Sequence, residues 1–412
     1  MIDTPLNLRE VGRLRVLEAL HHVGRSSRAE LTRLTGLSRA TVSSIVADLL
    51  AAGLIREAPD TSASRGRPTG RPAQPLTVNA SAAYAVAADI GHQHVRVAVC
   101  DLNGDPIWDT VVANDTDRAP HETLDLTADL IHQAIREKNI AVGDVLGLGV
   151  DIAAPVRATD GGLEAHGIKS GWMGLRPGRE LEERTGLTAR LANDADAGAL
   201  AERLYGAGRG TSDMVYIRLS TGIGAGIVSG GRPLTGAGGL AGEVGHLLSD
   251  PRGDMCRCGN RGCLETVAGP AAIAKLLEES RGRRVTVPDL LRLIEEGDRG
   301  AIRALEDAAD HIGIALADLV TLLNPELIVV GGDLAAAGPR LLAPLERAIR
   351  RYALAPAADN VTVVPGELGD QAEVRGAAGM VLAHAPRILA DRIASAERGG
   401  DQHPATSTQS LQ

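Results

Sequence analysis

Three helices are predicted near the start of the chain, where apolar side chains recur at helical spacing. The first covers 8–21, the second covers 28–35 with Leu31 and Leu34 facing inward, and the third runs from the N-cap Ser38 to Gly53. The apolar stripes consist of Leu8, Val11, Leu14, Leu17 and Leu20 in the first helix and Val42, Ile45, Val46, Leu49 and Leu50 in the third. Gly36 suits the left-handed turn before the third helix. This order predicts a helix-turn-helix whose third helix recognises DNA.

The predicted recognition helix exposes short polar side chains and one guanidinium, which suit base edges and phosphates. The candidate DNA contacts on it are Ser38, Arg39, Thr41, Ser43 and Ser44. Two short strands, 54–57 and 75–78, flank a polar loop in the arrangement of a wing. Arg65, Arg67 and Arg71 in this loop belong to slim Arg-Gly-Arg-Pro-type sequence that suits a narrow minor groove; the alternative is a flexible linker.

Charge separates this segment from the rest of the chain. Residues 1–75 contain eleven arginines and seven acidic residues, whereas the whole chain has a formal net charge of −9. A basic segment on an acidic body favours contact of that segment with double-stranded DNA. The alternatives are a solvated charged surface and an ordinary three-helix bundle.

From residue 84 onward the pattern alternates between strands and helices, which predicts an α/β body. The predicted strands are 85–90, 95–101, 107–112, 145–151, 188–191, 215–219 and 327–330, and the predicted helices are 122–138, 196–204 and a helical region over 264–323. The first three strands are expected to form an antiparallel meander that opens an otherwise parallel sheet. Residues 396–412 are polar and are predicted to form a disordered tail.

Three short motifs of the body carry acidic, amide or glycine residues. Asp89 and Gly91 end the first strand of the body, Asn193-Asp194 stands between a strand and a helix, and a glycine-rich run extends over 220–226. Glycines allow backbone N–H groups to approach phosphate oxygens closely. Each motif alone is weak evidence, and Asn193-Asp194 alone would be interpreted as a helix N-cap.

A fourth motif predicts a metal site. His246, Cys256, Cys258 and Cys263 supply one imidazole and three thiolates, which form a complete tetrahedral set for structural Zn²⁺. Such a set leaves no position for a water molecule, so the expected role of the zinc is to hold the loop and the carboxylates beside it. The alternative is a group of reduced, buried thiols.

Together these residues resemble the ROK family, named for its repressors, open reading frames and kinases, over about residues 8–385. The resemblance implies a two-lobed, actin-like, ribonuclease-H-like α/β fold with sugar and nucleotide in the cleft between the lobes. The implied division is a winged helix-turn-helix over 1–80, a first lobe over 81–195, a second lobe with the zinc motif over 196–385 and a C-terminal tail over 386–412. The implied sugar-binding residues are Asn193, Asp194, Glu243, His246 and Glu265. Asp194 matches the general base of the family's kinases.

The chain departs from the family's kinases on the nucleotide side. Those kinases carry Gly-Gly-Thr or a close variant after the aspartate of the first phosphate loop, whereas this chain has Gly91, His92 and Gln93. The residual nucleotide site that the resemblance implies consists of Asp89, Gly91, Thr221, Gly222, Gly224, Gly331 and Gly332. We interpret it as an ATP site eroded on one side, so ATP and Mg²⁺ are not expected as cofactors and Asp194 is catalytic only if kinase activity survives.

These expectations describe a sugar-responsive transcriptional regulator, a repressor of carbohydrate metabolism genes. Its partners are an operator in double-stranded DNA, a small sugar effector and further copies of the chain, as a dimer or tetramer. The alternative is an ATP-dependent kinase for a hexose or N-acetylhexosamine with a regulatory N-terminal domain. A phosphosugar ligand is a further alternative, for which Arg218 or Lys169 would matter. Without a signal peptide or an apolar run of about 20 residues, a cytoplasmic protein with no membrane partner is expected.

Overall fold

The structure of the chain, a computed structural model, describes residues 8–58, 74–163 and 169–400. It divides into two compact units. The first unit contains the N-terminal residues to Tyr84, the short segment Asp101–Asn103 and the residues from Leu382 onward. The second contains Ala85–Cys100 and Gly104–Val381. In the described part of the chain, no helix is both long and apolar enough to cross a bilayer.

The first unit contains the predicted winged helix-turn-helix. Its elements are α1 (Leu8–Val23), α2 (Arg28–Thr35), α3 (Arg39–Ala51), β1 (Ile55–Glu57) and β2 (Leu76–Val78), with β1 and β2 paired antiparallel. Ser27 and Glu30 form a capping box at the start of α2, and Gly36 ends the helix with φ 70°. Ser38 caps α3 by accepting from the Thr41 N–H. Local capping therefore fixes the turn between the two helices, as the sequence predicts.

The core of the first unit differs in part from the predicted stripes. Leu17 and Leu20 are buried, but Leu8 is 94 % exposed and Leu34 is 51 % exposed, so these two predictions are wrong. Helix α3 approaches α1 at Gly12, where an added Cβ would lie 2.7 Å from Ile45 Cδ1. The buried side of α1 includes Gly12, Val16 and Leu20, and a side chain at position 12 would require Ile45 to shift.

A C-terminal helix completes the first unit. Helix α14 (Ala385–Gly400) packs against α1 and buries Leu389, Ala390 and Ala394. The predicted tails over 386–412 and 396–412 are therefore wrong as far as residue 400, where this helix ends. Apolar side chains at helical spacing up to Ala394 give it a packed face within a polar sequence. The residues beyond 400, like the wing arginines Arg65, Arg67 and Arg71, lie outside the described residues.

The second unit contains two five-stranded sheets of similar design. The first has the order β5-β4-β3-β6-β7 and the second β10-β9-β8-β11-β12. Their strands are β3 (Tyr84–Ile90), β4 (His94–Asp101), β5 (Pro106–Ala113), β6 (Val145–Ile152), β7 (Ala189–Asn193), β8 (Met214–Leu219), β9 (Ile223–Ser229), β10 (Arg232–Pro233), β11 (Leu327–Gly331) and β12 (Thr362–Pro365). In the first sheet, β4 and β5 are antiparallel, and β6 and β7 are parallel. In the second sheet, β8, β9 and β10 form an antiparallel edge, and β8, β11 and β12 are parallel. The antiparallel meander at the start of the body is confirmed in this sheet order. The otherwise parallel single sheet is wrong, because β8, β9 and β10 form a second antiparallel edge in a separate sheet.

Helices pack around these sheets and bury an aliphatic core. They are α4 (Pro120–Glu137), α5 (Pro177–Thr185), α6 (Asp194–Tyr205), α7 (Leu264–Ala268), α8 (Pro270–Arg281), α9 (Val287–Glu295), α10 (Arg299–Leu323), α11 (Pro339–Tyr352), α12 (Ala355–Asn360) and α13 (Ala372–Leu382). The predicted helical region over 264–323 corresponds to four helices, α7 to α10. Several strand ends carry polar groups: Asp151 near the end of β6, Asn193 at the end of β7 and Arg218 near the end of β8.

Candidate functional site

A cavity of about 70 Å³ in the second unit brings all five predicted sugar-binding side chains together. These are Asn193, Asp194, Glu243, His246 and Glu265. His92, Arg218 and Arg257 also line it, together with residues 153–155, 222–224 and 242. Carboxylates, an amide and a guanidinium around one small space supply the acceptors and donors that sugar hydroxyls require.

Asn193 and Asp194 reach the cavity from the junction of β7 and α6. Asn193 is the N-cap of α6: its Oδ1 accepts from the Ala195 N–H at 2.8 Å, and its Nδ2 donates to the Ala154 carbonyl at 3.1 Å. Asp194 Oδ1 also accepts from the Ala195 N–H, while Oδ2 lies 3.1 Å from the Arg218 guanidinium. The capping role and the position in the cavity therefore coexist, because the cap holds both side chains at the cavity wall.

Arg218 is a site residue that its sequence spacing did not single out. It lies in β8 between the buried Ile217 and Leu219, and its Nε donates to Glu373 Oε1 at 2.8 Å. Burial opposes its charge, but Asp194 and Glu373 outweigh burial and raise the pKa of Arg218. A lone charged residue in an apolar strand is the sequence signal that could have found it.

Behind the cavity lies a second group of buried acids. His94 Nε2 is 2.9 Å from Asp89 Oδ2. Burial opposes the charge of Asp89, yet His94 lowers the pKa of Asp89, and the hydrogen bond to the Asp89 carboxylate raises the pKa of His94. Burial, followed by the charge of Asp89, raises the pKa of Asp151 well above its ordinary value. Sequence reasoning did not identify Asp151 or Glu373.

The predicted metal ligands form one cluster. One ligand atom from each of His246, Cys256, Cys258 and Cys263 lies within 4.8 Å of the others. Cys258 Sγ is 3.7 Å from Cys263 Sγ, and Cys256 Sγ is 3.6 Å from His246 Nδ1. Thiolates around a tetrahedral ion at ~2.3 Å stand about 3.8 Å apart, so these distances fit a bound ion. Burial raises the pKa of the Cys256 and Cys263 thiols, and a cation is what would keep them as thiolates.

The cluster adjoins the cavity through His246. Its Nδ1 faces the cysteines and lies 3.7 Å from Glu265 Oε1, while its Nε2 lies 3.7 Å from Glu243 Oε2. Burial, followed by the charge of Asp194, raises the pKa of Glu243 to about 7. A metal on the cysteine side would fix the ring and leave Nε2 directed to the cavity side.

In the predicted first phosphate loop, protein side chains contact one another closely. His92 Nδ1 lies 2.9 Å from the Asp117 carboxylate, and the buried Lys169 amine donates to Asp117, Thr116 and the Gly91 carbonyl. Burial opposes the charge of Asp117, but His92 and Lys169 lower its pKa to about 2. His92, paired with Asp117, is also one of the residues that line the cavity. Lys169 is buried beneath the loop and does not line the cavity.

The glycines of the predicted nucleotide site have packing roles. Gly224 lies within β9 and faces Ala195, where an added Cβ would be 3.2 Å from Ala195 Cβ. Gly331 stands against Tyr216, and Gly332 has φ 80° beside the Leu219 carbonyl. Gly222 and Gly224 line the cavity, whereas its described lining does not include Asp89, Gly91, Thr221, Gly331 or Gly332.

A larger cavity of about 390 Å³ shares Asn193 with the first. Arg157 and Arg176 on its wall both pair with Asp160 at 2.8–2.9 Å. Asp196, which sequence reasoning did not consider, also lines this cavity, and burial raises its pKa to about 7. The smaller cavity remains the better candidate, because its lining contains all five predicted sugar-binding side chains, whereas the larger cavity contains Asn193 alone of the five.

In the first unit, α3 divides into an inner and an outer side. Val42, Ile45, Val46 and Leu49 are buried, whereas the predicted DNA contacts Ser38, Arg39, Thr41, Ser43 and Ser44 are all exposed. Ser38 Oγ is engaged in the cap, 2.8 Å from Thr41 Oγ1. An exposed polar side that begins at a capped N-terminus is the arrangement of a recognition helix.

Comparison with known proteins agrees with both units. A model of the ROK family matches residues 85–384, and a model of the MarR family matches residues 7–66. The xylose repressor of Bacillus subtilis is 27 % identical over 358 residues, covering 87 % of this chain and 91 % of the repressor. A glucokinase of Halalkalibacterium halodurans is 32 % identical over 313 residues, covering 72 % of this chain and 94 % of the kinase.

A solved structure extends the likeness to the three-dimensional arrangement. It is the crystal structure of a ROK family transcriptional regulator described as a homologue of the E. coli MLC protein. The two share 28 % identity with a TM-score of 0.77, covering 94 % of this chain and 99 % of the other. The family match spans most of the chain, and the sheets, the cavity and the cysteine cluster lie within it. This chain belongs to the ROK family.

Proposed function

We propose that this protein is a sugar-responsive, DNA-binding transcriptional repressor of carbohydrate metabolism genes. The observation that carries the proposal is the presence in one chain of two sites. The first unit offers an exposed polar recognition helix, and the second offers a cavity lined by Asn193, Asp194, Glu243, His246 and Glu265. The similarity to a xylose repressor and to a ROK transcriptional regulator supports the same conclusion.

The proposal includes the parts that such a regulator needs. Two copies would present Ser38, Arg39, Thr41, Ser43 and Ser44 to the half-sites of an inverted repeat, with Arg65, Arg67 and Arg71 at the minor groove. A structural Zn²⁺ on His246, Cys256, Cys258 and Cys263 would hold the loop that carries Glu265. The working division places the DNA-binding part in residues 1–80 and the two lobes in 81–195 and 196–385.

A sugar kinase is the second candidate, and a specific observation favours it. Asp194 lies in the cavity, and a glucokinase is 32 % identical over most of its length. Against it stands the predicted first phosphate loop, in which Asp117 pairs with His92 at the cavity. We therefore propose binding without phosphoryl transfer, and no ATP or Mg²⁺ as cofactors.

Fluorescence anisotropy on DNA from upstream of the protein's own gene tests the proposal. It is run at fixed salt with a panel of hexoses, pentoses and N-acetylhexosamines. We expect specific binding that one sugar weakens by at least about fivefold, which corresponds to roughly 1 kcal/mol of coupling. Arg39→Ala should reduce DNA affinity, whereas Arg303→Ala, at an exposed cation of α10, should not. Sugar-dependent ATP turnover without DNA binding would establish the kinase instead.

A further inference from the structure

The imidazole of His92 is held on one side by a network of polar groups. Its Nδ1 lies 2.9 Å from each carboxylate oxygen of Asp117. The fully buried Lys169 amine donates to Asp117 Oδ1 at 2.8 Å and to Thr116 Oγ1 at 2.6 Å. Trp172 donates its indole N–H to the Thr116 carbonyl at 2.7 Å. Groups from three separate segments of the chain therefore fix the position of the ring.

The contact with Asp117 determines which ring nitrogen of His92 carries a proton. Burial opposes the charge of Asp117, but His92 and Lys169 lower its pKa to about 2, so it is a carboxylate at neutral pH. A carboxylate accepts hydrogen bonds and has no proton to donate, so Nδ1 of His92 is the donor in this pair. In the neutral imidazole the second ring nitrogen, Nε2, then carries a lone pair and acts as an acceptor.

This second nitrogen is available to a molecule in the cavity. His92 lines the cavity, whereas the described lining includes neither Asp117 nor Lys169. Among the described residues, Nε2 has no hydrogen-bond partner, although only 12 % of the side chain is exposed. A polar atom in a cavity wall that lacks a protein partner bonds to water or to a ligand. The ring therefore presents one unused acceptor to the cavity.

Neighbouring groups of the cavity already spend hydrogen bonds on the protein. Asn193 uses its amide oxygen on the Ala195 N–H and its amide nitrogen on the Ala154 carbonyl. Asp194 Oδ1 accepts from the same N–H, and Oδ2 pairs with Arg218. Every sugar hydroxyl is a donor that needs an acceptor. An imidazole nitrogen without such commitments is therefore well suited to take one of these hydroxyls.

We infer that His92 contacts the effector directly, accepting a hydrogen bond from one sugar hydroxyl at Nε2, and that Asp117 is a positioning residue that acts through His92. The inference rests on the proposed sugar-sensing function. The resemblance to the family's kinases places position 92 in a phosphate loop, so the imidazole turns part of the nucleotide side into sugar site. Because the ring is fixed, it meets a hydroxyl of one configuration only. A sugar whose hydroxyl points elsewhere loses this bond, so His92 contributes to the choice among sugars.

Isothermal titration calorimetry on the full-length protein tests the contact, with xylose, glucose and N-acetylglucosamine as probes. His92→Asn is the informative variant, because its shorter amide can still donate to Asp117 but places no acceptor where Nε2 was. We expect the sugar that binds wild type to bind this variant about three- to tenfold more weakly, the effect of one lost hydrogen bond. His121→Asn is the matched control, since this exposed histidine of α4 does not line the cavity, and it should bind like wild type.

Two double-mutant cycles separate a direct contact from a structural disturbance. Among deoxy forms of the bound sugar, the one that lacks the contacted hydroxyl should bind wild type more weakly than the parent sugar, but should bind His92→Asn within about twofold of it. In Asp117→Asn the amide can donate as well as accept, so the ring is no longer held in one tautomer. We expect this variant to lose about two- to threefold in sugar affinity, and to cause no further loss when combined with His92→Asn.

The outcomes distinguish the inference from the proposed function. Equal sugar affinity of wild type and of a His92→Asn protein shown to be folded by circular dichroism overturns the inference and leaves the sugar sensor standing. The same holds if His92→Asn weakens the parent sugar and every deoxy sugar by one common factor. If wild type binds its operator but none of the three sugars, the proposed function fails and the inference fails with it.

Discussion

Asp196 in α6 is an acidic side chain whose pKa is raised rather than lowered by its surroundings. Burial, followed by the charge of Asp194, raises its pKa to about 7. Between about pH 4 and 7 the folded protein therefore holds a proton that the unfolded chain releases. Stability falls as the pH rises through this window and levels off above it.

Asp196→Asn should remove this pH dependence. As the pH rises from 4.5 to 7.5, we expect the free energy of unfolding of wild type to fall by on the order of 1–3 kcal/mol relative to that of the variant. Urea unfolding followed by tryptophan fluorescence measures it, because Trp108 and Trp172 both report on the second unit. Asp160→Asn is the control, since Arg157 and Arg176 lower the pKa of Asp160 and place its titration below this range. A constant difference between wild type and Asp196→Asn across the range would contradict the raised pKa.

Replacing one cysteine of the cluster should release the metal. In Cys258→Ser the tetrahedral set loses a thiolate, so we expect the zinc content of the purified protein to fall at least tenfold and its thermal midpoint to drop. Metal content by mass spectrometry and a thermal scan give the two readings. Cys100→Ser, at a buried cysteine outside the cluster, should retain zinc. Full zinc content in Cys258→Ser would argue against the four-ligand site.

At the scale of elements, capping and turn residues predicted the helix boundaries better than apolar stripes or polar composition predicted which residues are buried. The caps Ser27 and Ser38 and the turn at Gly36 are determined by nearby backbone groups, so the helix-turn-helix could be predicted from sequence. The exposure of Leu34 depends on how helices cross, which a stripe of apolar residues does not specify. Helix α14 was mistaken for tail because its polar composition concealed an alanine-rich buried face.

Leu389→Ala tests whether α14 is part of the first unit. Leu389 is 4 % exposed on a helix that packs against α1, so we expect a loss of about 2–4 kcal/mol in the stability of this unit. Hydrogen exchange measured on peptides from α1 should quicken accordingly. Leu322→Ala, at a 78 % exposed leucine of α10 in the second unit, should leave this exchange unchanged. Unaltered protection of α1 in Leu389→Ala would mean that α14 does not stabilise it.

Two parts of the site were predictable: the metal ligands from residue type and spacing, and the five sugar-binding side chains of the cavity from the resemblance to the ROK family. The cysteine spacing predicted the cluster of His246, Cys256, Cys258 and Cys263, and the structure brings these four together. The glycines of the phosphate loops did not carry such a signal, since Gly224 and Gly331 are required by close packing. The contacts of Arg218 with Glu373 join residues 155 positions apart, so no local pattern could predict them.

At the scale of the whole molecule, the proposed function requires the sugar site and the DNA site to influence each other's affinity. If a sugar weakens operator binding by a given factor, operator DNA must weaken sugar binding by the same factor, because both describe one coupling free energy. We expect a factor of roughly 5–150, the range of 1–3 kcal/mol. Calorimetry with the effective sugar, with and without saturating operator, and anisotropy with and without the sugar measure the two factors. Asp194→Asn should weaken sugar binding while leaving operator affinity in the absence of sugar unchanged, because Asp194 lines the cavity of the second unit. A sugar that binds equally well with and without operator would show that the two sites act independently and that the repressor does not sense it.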